Sequence, residues 1–337
     1  ISSKWGGTTT SVLNFYTSLI KINYKIDIVS TVLPSEKNDL KSEFLNKDNI
    51  KIFETNDSLW RYSSSFNEYV KKNISKYNIV WIHGLWTSTT FFSAKYSLKF
   101  NIPYILTPHG MFEQDALSRK ALKKKIYWIL IEKKIFANSS IIHCINSDEE
   151  IQIQKYTNSN TFILPNGIKA DGFKEKNYLS LSSICFIGRL HEKKGLDLLL
   201  KALSKVNNIN LIIAGSGEAN YEDYLQKLII ELKITDRIEF LGFADNDMKK
   251  KMLKKSLFIV IPSYTEVLTF SALESIAEST PVLITNQCNF DEIKKFNAGV
   301  IIENNDPENI QKGIENMLGS NIKYMSENAY RLAKEYS

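Results

Sequence analysis

Two carboxylates, Glu266 and Glu274, bracket the stretch of this 337-residue chain best suited to chemistry, Pro262-Ser-Tyr-Thr-Glu-Val-Leu-Thr-Phe-Ser-Ala-Leu-Glu-Ser-Ile-Ala-Glu-Ser-Thr-Pro-Val282. An apolar strand, Leu257 to Ile261, leads into a turn at Pro262-Ser263, and a short helix is expected to start with the amides of Val267, Leu268 and Thr269. A helix start offers unpaired N–H groups and a partial positive charge, so it can hold a phosphate. A loop carboxylate, an amide nest and a helical carboxylate in a row suit a phosphorylated sugar. Glu274 would accept from a ribose diol, the amides would take a diphosphate, and Glu266 would hold the sugar. On spacing alone, two glutamates eight apart also fit a solvated helix face.

The elements that must position these groups read as alternating strands and helices. Lys25 to Leu33, Asp48 to Phe53, Ile79 to Trp86, Ile102 to Gly110, Ser140 to Asn146 and Thr161 to Gly167 are strand-like, with helical stretches between. That alternation implies parallel sheets, whose ligands sit at the carboxyl ends of the strands. His83-Gly84 and His109-Gly110 fall at that edge, and His109 is the better candidate to touch a reacting sugar. Gly6-Gly7 reads as a turn entering a helix with Val12, Phe15, Tyr16 and Leu19 on one face, and glycine there permits close approach of a ligand to the backbone.

Pro165-Asn-Gly167 and the polar residues after it mark a boundary, giving two domains, 1–167 and 168–337. The second restarts the alternation with Ser183 to Leu190 and a helix from Leu196 to Leu203. Arg189 and Lys194 flank the turn between them, where cations would meet a diphosphate. Ala214-Gly-Ser-Gly217 is a truncated dinucleotide fingerprint and argues little for NAD. Asp245-Asn-Asp247 has a metal-diphosphate form, but its place before Met248-Lys-Lys-Lys favours a helix N-cap. Asp306-Pro307 opens a late helix in the same way.

Composition bounds the rest. At 43% hydrophobic and 24% charged the chain has ample apolar residue for two cores. No apolar run reaches membrane-spanning length, and Ile1-Ser-Ser-Lys-Trp5 is not a signal peptide. Cys144, Cys185 and Cys288 lack metal or disulfide spacing and read as buried free thiols in a reducing cytoplasm. The formal charge of +6 is lopsided, with 21 Lys and Arg against 14 Asp and Glu over residues 1–167, and 22 against 23 beyond. The excess, notably Arg119 to Lys125 and Lys133-Lys134, is either a solvated face or an attraction to an anionic membrane or phosphorylated acceptor. It lacks a nucleic-acid-binding module.

Taken in order, Gly6-Gly7, His83-Gly84, Thr107-Pro-His109-Gly110, Pro165-Asn-Gly167, Gly188 to Gly195, Ala214 to Gly217, Phe240-Leu-Gly242, Glu266 to Glu274 and Thr280-Pro-Val282 resemble the family-4 retaining glycosyltransferases of GT-B fold. The resemblance implies two Rossmann-like parallel-sheet domains facing across a cleft, acceptor side first and nucleotide-sugar side second. It further implies that Arg189 and Lys194 neutralise the donor diphosphate, Glu274 binds ribose, Glu266 holds the donor sugar, and His109 touches that sugar. Gly7 admits acceptor and phosphate, and the amides of Leu268 and Thr269 take part in donor binding. No metal or other cofactor is then needed, because cations and helix amides stabilise the leaving diphosphate.

The expected function is transfer of a hexose, with retention, from a UDP- or GDP-sugar to a glycan or lipid-linked acceptor. The setting would be bacterial surface polysaccharide or lipopolysaccharide assembly, in the cytoplasm or peripheral at the inner membrane face. A sugar-nucleotide 2-epimerase and a non-catalytic scaffold share the fold. Val267-Leu268-Thr269 stands where the family has a Gly-Phe-Gly-like run and would narrow the sugar pocket, and Ser279 stands where it has glycine. Both ends look clipped, lacking a first strand and a final crossing helix.

Overall fold

The computed structural model describes residues 6–39, 47–55, 60–112 and 121–337. The chain divides into two compact units, Ile1–Pro165 and Asn166–Ser337.

In the first unit, α1 (Gly6–Lys21) opens with the two glycines, so they form a helix's first turn rather than a turn before it. Strands β1 (Ile28–Val32) and β2 (Ile50–Glu54) pair in parallel. Helix α2 (Ser64–Asn73) is capped by Ser63, whose hydroxyl accepts from Phe66 N. Strand β3 (Val80–His83), α3 (Ser88–Lys99) and β4 (Tyr104–Thr107) follow. Helix α4 (Ala121–Tyr127), a π-helical turn (Trp128–Glu132) and α5 (Lys133–Ala137) run on continuously. Strand β5 (Ile141–Cys144), α6 (Ser147–Gln154) and β6 (Thr161–Ile163) complete the unit. The larger sheet is parallel with order β3-β4-β5-β6, as β-α-β connections require. Its core gathers Ile82, Leu106, Phe112, Phe136, Ile142 and Ile153.

The second unit carries β7 (Ser183–Ile187), α7 (Leu196–Leu203), β8 (Asn210–Ala214), α8 (Ala219–Glu231), β9 (Ile238–Gly242) and α9 (Asn246–Lys254). Then come β10 (Ile259–Ile261), α10 (Phe270–Ala277), β11 (Val282–Thr285), α11 (Glu292–Lys295), β12 (Gly299–Ile302), α12 (Pro307–Leu318) and α13 (Ile322–Glu335). All six strands are parallel, in the order β12-β11-β10-β7-β8-β9. Both faces of the sheet are covered, so β10 and β11 are buried throughout and read as Ile, Val and Leu up to the final Thr285. One core packs α7, α8 and α12 on one face and the other packs α10 and α13. Asp245 and Asp306 cap α9 and α12, accepting from Met248 N at 2.8 Å and Asn309 N at 2.9 Å. The three thiols are buried and unpaired.

Strand order reverses between β7 and β10, and the helices that follow those two strands, α7 and α10, pack on opposite faces of the sheet. Such a point leaves a crevice at the strands' carboxyl ends.

Candidate functional site

After β7 the chain runs through Gly188, Arg189 and Leu190 into a 3-10 turn, Glu192–Lys194, closed by Gly195 at φ +64°. A Cβ on Gly195 would lie 2.0 Å from Pro262 O, so only glycine lets the turn lie against the loop after β10. That loop is pinned on several sides. Tyr264 N donates to Lys193 O at 2.9 Å, Thr285 Oγ1 to Ser263 O at 2.6 Å, and Glu266 N to Gln287 O at 3.1 Å. Asn289 Nδ2 donates to Glu266 O at 3.2 Å. Two loops 72 residues apart are thereby locked together, and Lys194 Nζ forms an ion pair with Glu266 Oε1.

Helix α10 begins at Phe270, later than expected. Val267 and Leu268 form a bend, and Thr269 is the N-cap in extended conformation. Its hydroxyl pairs with Ser271 Oγ at 2.7 Å, so no side chain caps the first turn. The N–H groups of Leu268 and Thr269 donate to no described residue. They belong to the approach to the helix rather than its first turn.

Glu274 lies on α10 and pairs with Lys249 of α9. Sequence reasoning missed Lys249, the first of the three lysines after Met248. The signal was its spacing, three and four residues before the buried Met252 and Leu253, which turns it alone of the three out of full solvent. Arg189 is separate. It meets Glu218 at 3.5 Å with both side chains mostly exposed, a contact worth little in water. The glycines of Ala214 to Gly217 have a structural cause, since Cβ atoms on Gly215 and Gly217 would fall 1.8 and 2.0 Å from the carbonyls of Gly188 and Leu190. Ser279, where the family carries glycine, sits at φ +55° just after α10, and its hydroxyl accepts from Lys174 N at 2.9 Å. A groove of about 540 Å³ lined by Glu192, Asp197, Tyr221, Tyr224 and Tyr264 opens nearby, yet neither Glu266 nor Glu274 lines it.

In the first unit, His83 Nδ1 and His109 Nε2 lie 2.9 Å apart at the ends of β3 and β4, with Trp81 stacked on His83. Burial holds His109 down to about 4 and His83 well below the usual imidazole range, so both rings are neutral at pH 7. His109 has φ +55°, and the next residue, Gly110, is held by its N–H donating to Glu149 at 2.6 Å. The other oxygen of Glu149 accepts from Ile145 N at 2.8 Å. Sequence reasoning missed Glu149, although Asn146-Ser-Asp-Glu149 has capping-box spacing. Gly7 lies in the first turn of α1.

Residues 5–171 match Glycosyltransferase Family 4 and residues 168–332 match Glycosyl transferases group 1. Two uncharacterized glycosyltransferases of Methanocaldococcus jannaschii are 36% identical over 139 residues and 26% identical over 244, covering 40% and 71% of this chain and 35% and 66% of theirs. A D-inositol 3-phosphate glycosyltransferase of Mycolicibacterium smegmatis is 34% identical over 104 residues, 30% of this chain and 24% of its own. The matched stretches thus span less than two thirds of these relatives. Among solved structures, WaaG, a glycosyltransferase involved in lipopolysaccharide biosynthesis, aligns with a TM-score of 0.73 at 13% identity, covering 98% of this chain and 92% of WaaG. Anabaena HepE in complex with UDP-glucose aligns at 0.72 and 14%, covering 93% and 95%. With the doubly wound parallel sheet of its second unit and the parallel sheets of its first, this chain belongs to the family-4 glycosyltransferases of GT-B fold.

Proposed function

We propose that the protein is a retaining glycosyltransferase that moves a hexose from a UDP- or GDP-sugar to a hydroxyl of a glycan or lipid-linked acceptor, without a metal or other cofactor. The observation that carries the reading is the Lys194–Glu266 pair at the strand-order reversal of the second unit. Without donor, the two charges satisfy each other. An arriving diphosphate takes over the ammonium as its counter-ion, and the released carboxylate can then accept from sugar hydroxyls. Lys249 holds Glu274 through one carboxylate oxygen, Oε1, and the other can accept from a ribose diol. Arg189, exposed and only loosely held by Glu218, is available to the outer phosphate. The N–H groups of Leu268 and Thr269 add donors where negative charge grows on the leaving diphosphate, the electrostatic contribution that lowers the barrier.

Gly7 and His109 belong to the acceptor-side unit in this reading. A neutral His109 can hydrogen-bond a sugar hydroxyl without setting a positive charge against the cationic character that develops at the anomeric carbon. UDP-glucose in the HepE complex and the lipopolysaccharide role in WaaG's description support a nucleotide sugar and a surface-polysaccharide setting. The charge excess of the first unit supports work at the cytoplasmic face of an anionic membrane. Screening the full chain against UDP- and GDP-sugars by thermal shift, followed by product analysis, tests the proposal. A glycoside with retained configuration is expected. A free sugar-nucleotide isomer would make it an epimerase, and binding without turnover a scaffold.

A further inference from the structure

The groove of about 540 Å³ in the second unit takes no part in the donor contacts, and separate stretches of the chain build it. Its volume falls within the range of small-molecule sites, about 300–1,000 Å³. Glu192 and Lys193 come from the 3-10 turn after β7, and Asp197 from the first turn of α7. Tyr221 and Tyr224 are i, i+3 neighbours on α8, with ring centres 5.8 Å apart and planes tilted by 31°. Tyr264 comes from the loop after β10, which its N–H ties to Lys193 O. Tyr221 packs partly against the core of α7 and α8, whereas Tyr224 and Tyr264 are 42 and 48% exposed and keep ring surface open to a ligand. Two carboxylates share the groove. Asp197 meets the Tyr221 hydroxyl at 3.5 Å through Oδ1 and Lys201 Nζ at 3.4 Å through Oδ2. The exposed Glu192 carboxylate makes no hydrogen bond or ion pair among the described residues. With Lys193 also in the lining, charge is close to balanced, and neither a phosphate nor an isolated cation is selected. Aromatic rings beside carboxylates suit a pyranose instead. Its C–H groups lie against the electron-rich ring faces, and its hydroxyls donate to the carboxylate oxygens.

We propose that this groove is a subsite for a neutral saccharide, holding a sugar unit of the acceptor glycan beyond the unit that reacts, with Tyr224 and Tyr264 as stacking platforms and Glu192 and Asp197 as hydroxyl acceptors. Its place in the fold fits that role. Tyr264 is two residues from Glu266, at most about 7 Å of backbone, and Lys193 directly precedes Lys194. The groove therefore adjoins the transfer site at a distance that one or two further sugar units can span. A nucleobase is the other ring that would stack on tyrosine. Glu274 and Lys249, however, belong to α10 and α9, which pack on the sheet face opposite to α7 and α8. A ribose held by Glu274 sets its base on that opposite face. The inference rests on the transferase reading for calling the saccharide an acceptor, and its test is a binding measurement that needs no turnover.

The test is titration of the full chain, without nucleotide sugar, with maltotriose, cellotriose and chitotriose, followed by saturation transfer to the saccharide's NMR signals. Binding of at least one trisaccharide is expected. Tyr224→Ala and Tyr264→Ala should each weaken it about tenfold, whereas Tyr224→Phe, which keeps the ring, should stay within about twofold of wild type. Tyr224 lies half-exposed on α8, so its alanine variant should keep the wild-type melting temperature and the wild-type affinity for UDP and GDP. Trisaccharide binding without glycoside formation from any nucleotide sugar would count against the transferase reading and leave the subsite standing. Absence of binding to all three trisaccharides, or undiminished binding by both alanine variants, would overturn the proposal. So would displacement of the trisaccharide by uridine or guanosine, which would assign the groove to the nucleobase.

Discussion

Lys194 and Glu266 reach each other from two loops that leave β7 and β10, the strands between which the second unit's sheet reverses its order. Their side chains are 29 and 17% exposed, so the pair is shielded yet open to a ligand. A charge pair in that position joins the two loops and can be divided by a bound diphosphate.

Lys194→Ala is therefore expected to weaken binding of the nucleotide sugar by about 1–3 kcal/mol, roughly 5- to 150-fold, because the diphosphate loses its cation. Glu266→Gln should lower turnover more than affinity, since its proposed partner is the sugar. Titration calorimetry with UDP- and GDP-sugars checks the first and steady-state rates the second. In a double-mutant cycle the two changes should couple by about 0.5–3 kcal/mol. Additive effects would show that the contact does not matter to binding.

Lys249 gives a prediction that only the folded structure supplies. Glu274→Ala and Lys249→Ala should both weaken nucleoside binding, by about 1–3 kcal/mol for the glutamate and less for the lysine, which orients it. Competition with free UDP, GDP and their diphosphate fragments reads this out. If Lys249→Ala impairs the sugar-free nucleotide and leaves pyrophosphate untouched, the lysine acts at the ribose end. Equal loss for both would move it to the phosphates.

Much of the second unit was legible because buried parallel strands read as apolar runs and helix starts carry their own caps. Asp245 and Asp306 announced α9 and α12, and Leu196 to Leu203 showed its helix by setting its charges, Asp197 and Lys201, four residues apart on one side of an otherwise apolar run. Pairing was not legible. The spacing of Glu266 and Glu274 gave no sign that each meets a lysine from a different loop or helix, because those contacts depend on sheet order. The start of α10 was misplaced because Val267 and Leu268 fit a helix by type, and the bend that excludes them is imposed by contacts of the preceding loop with Gln287 and Asn289. In the first unit, His83 and His109 were found from strand ends, but the carboxylates behind them, Glu132 and Glu149, look like surface glutamates in sequence. Arg119, Lys120 and the rest of 113–120 lie outside the described residues.

Gly195→Ala tests whether the two loops must lie in contact. The substitution forces a side chain into the left-handed region, at about 1–2 kcal/mol, and sets a Cβ against Pro262 O. The carbonyl belongs to a loop tied down by Asn305 Nδ2 at 2.8 Å, so it cannot retreat cheaply. Chemical denaturation should show a loss of more than about 2 kcal/mol. Donor binding should fall too, because Lys194 is the preceding residue. A stable variant with normal binding would show that the loops can separate without consequence.

Glu132 gives the first unit a measurable pH dependence. Its side chain is fully buried, Oε1 accepts from Trp86 N at 2.7 Å, and Oε2 has no partner among the described residues, so burial raises it from 4.5 to about 7. Between those values the folded protein holds a proton that the unfolded chain has released. Stability should therefore fall as pH rises from 4.5 to 7, by up to about 3 kcal/mol, and stay level above. His83 and His109, held low by burial, act in the opposite sense: their contribution is complete above about 6.5 and shrinks as pH falls toward 4. The two effects overlap in the wild-type curve, so the difference between variants is the informative quantity. Glu132→Gln cannot ionise and keeps an oxygen for the Trp86 N–H. It should be more stable than wild type at pH 8, with the gap closing toward pH 4.5, as read by denaturant unfolding at several pH values. A gap independent of pH would mean that Glu132 stays charged in the folded protein and that another group sets the profile.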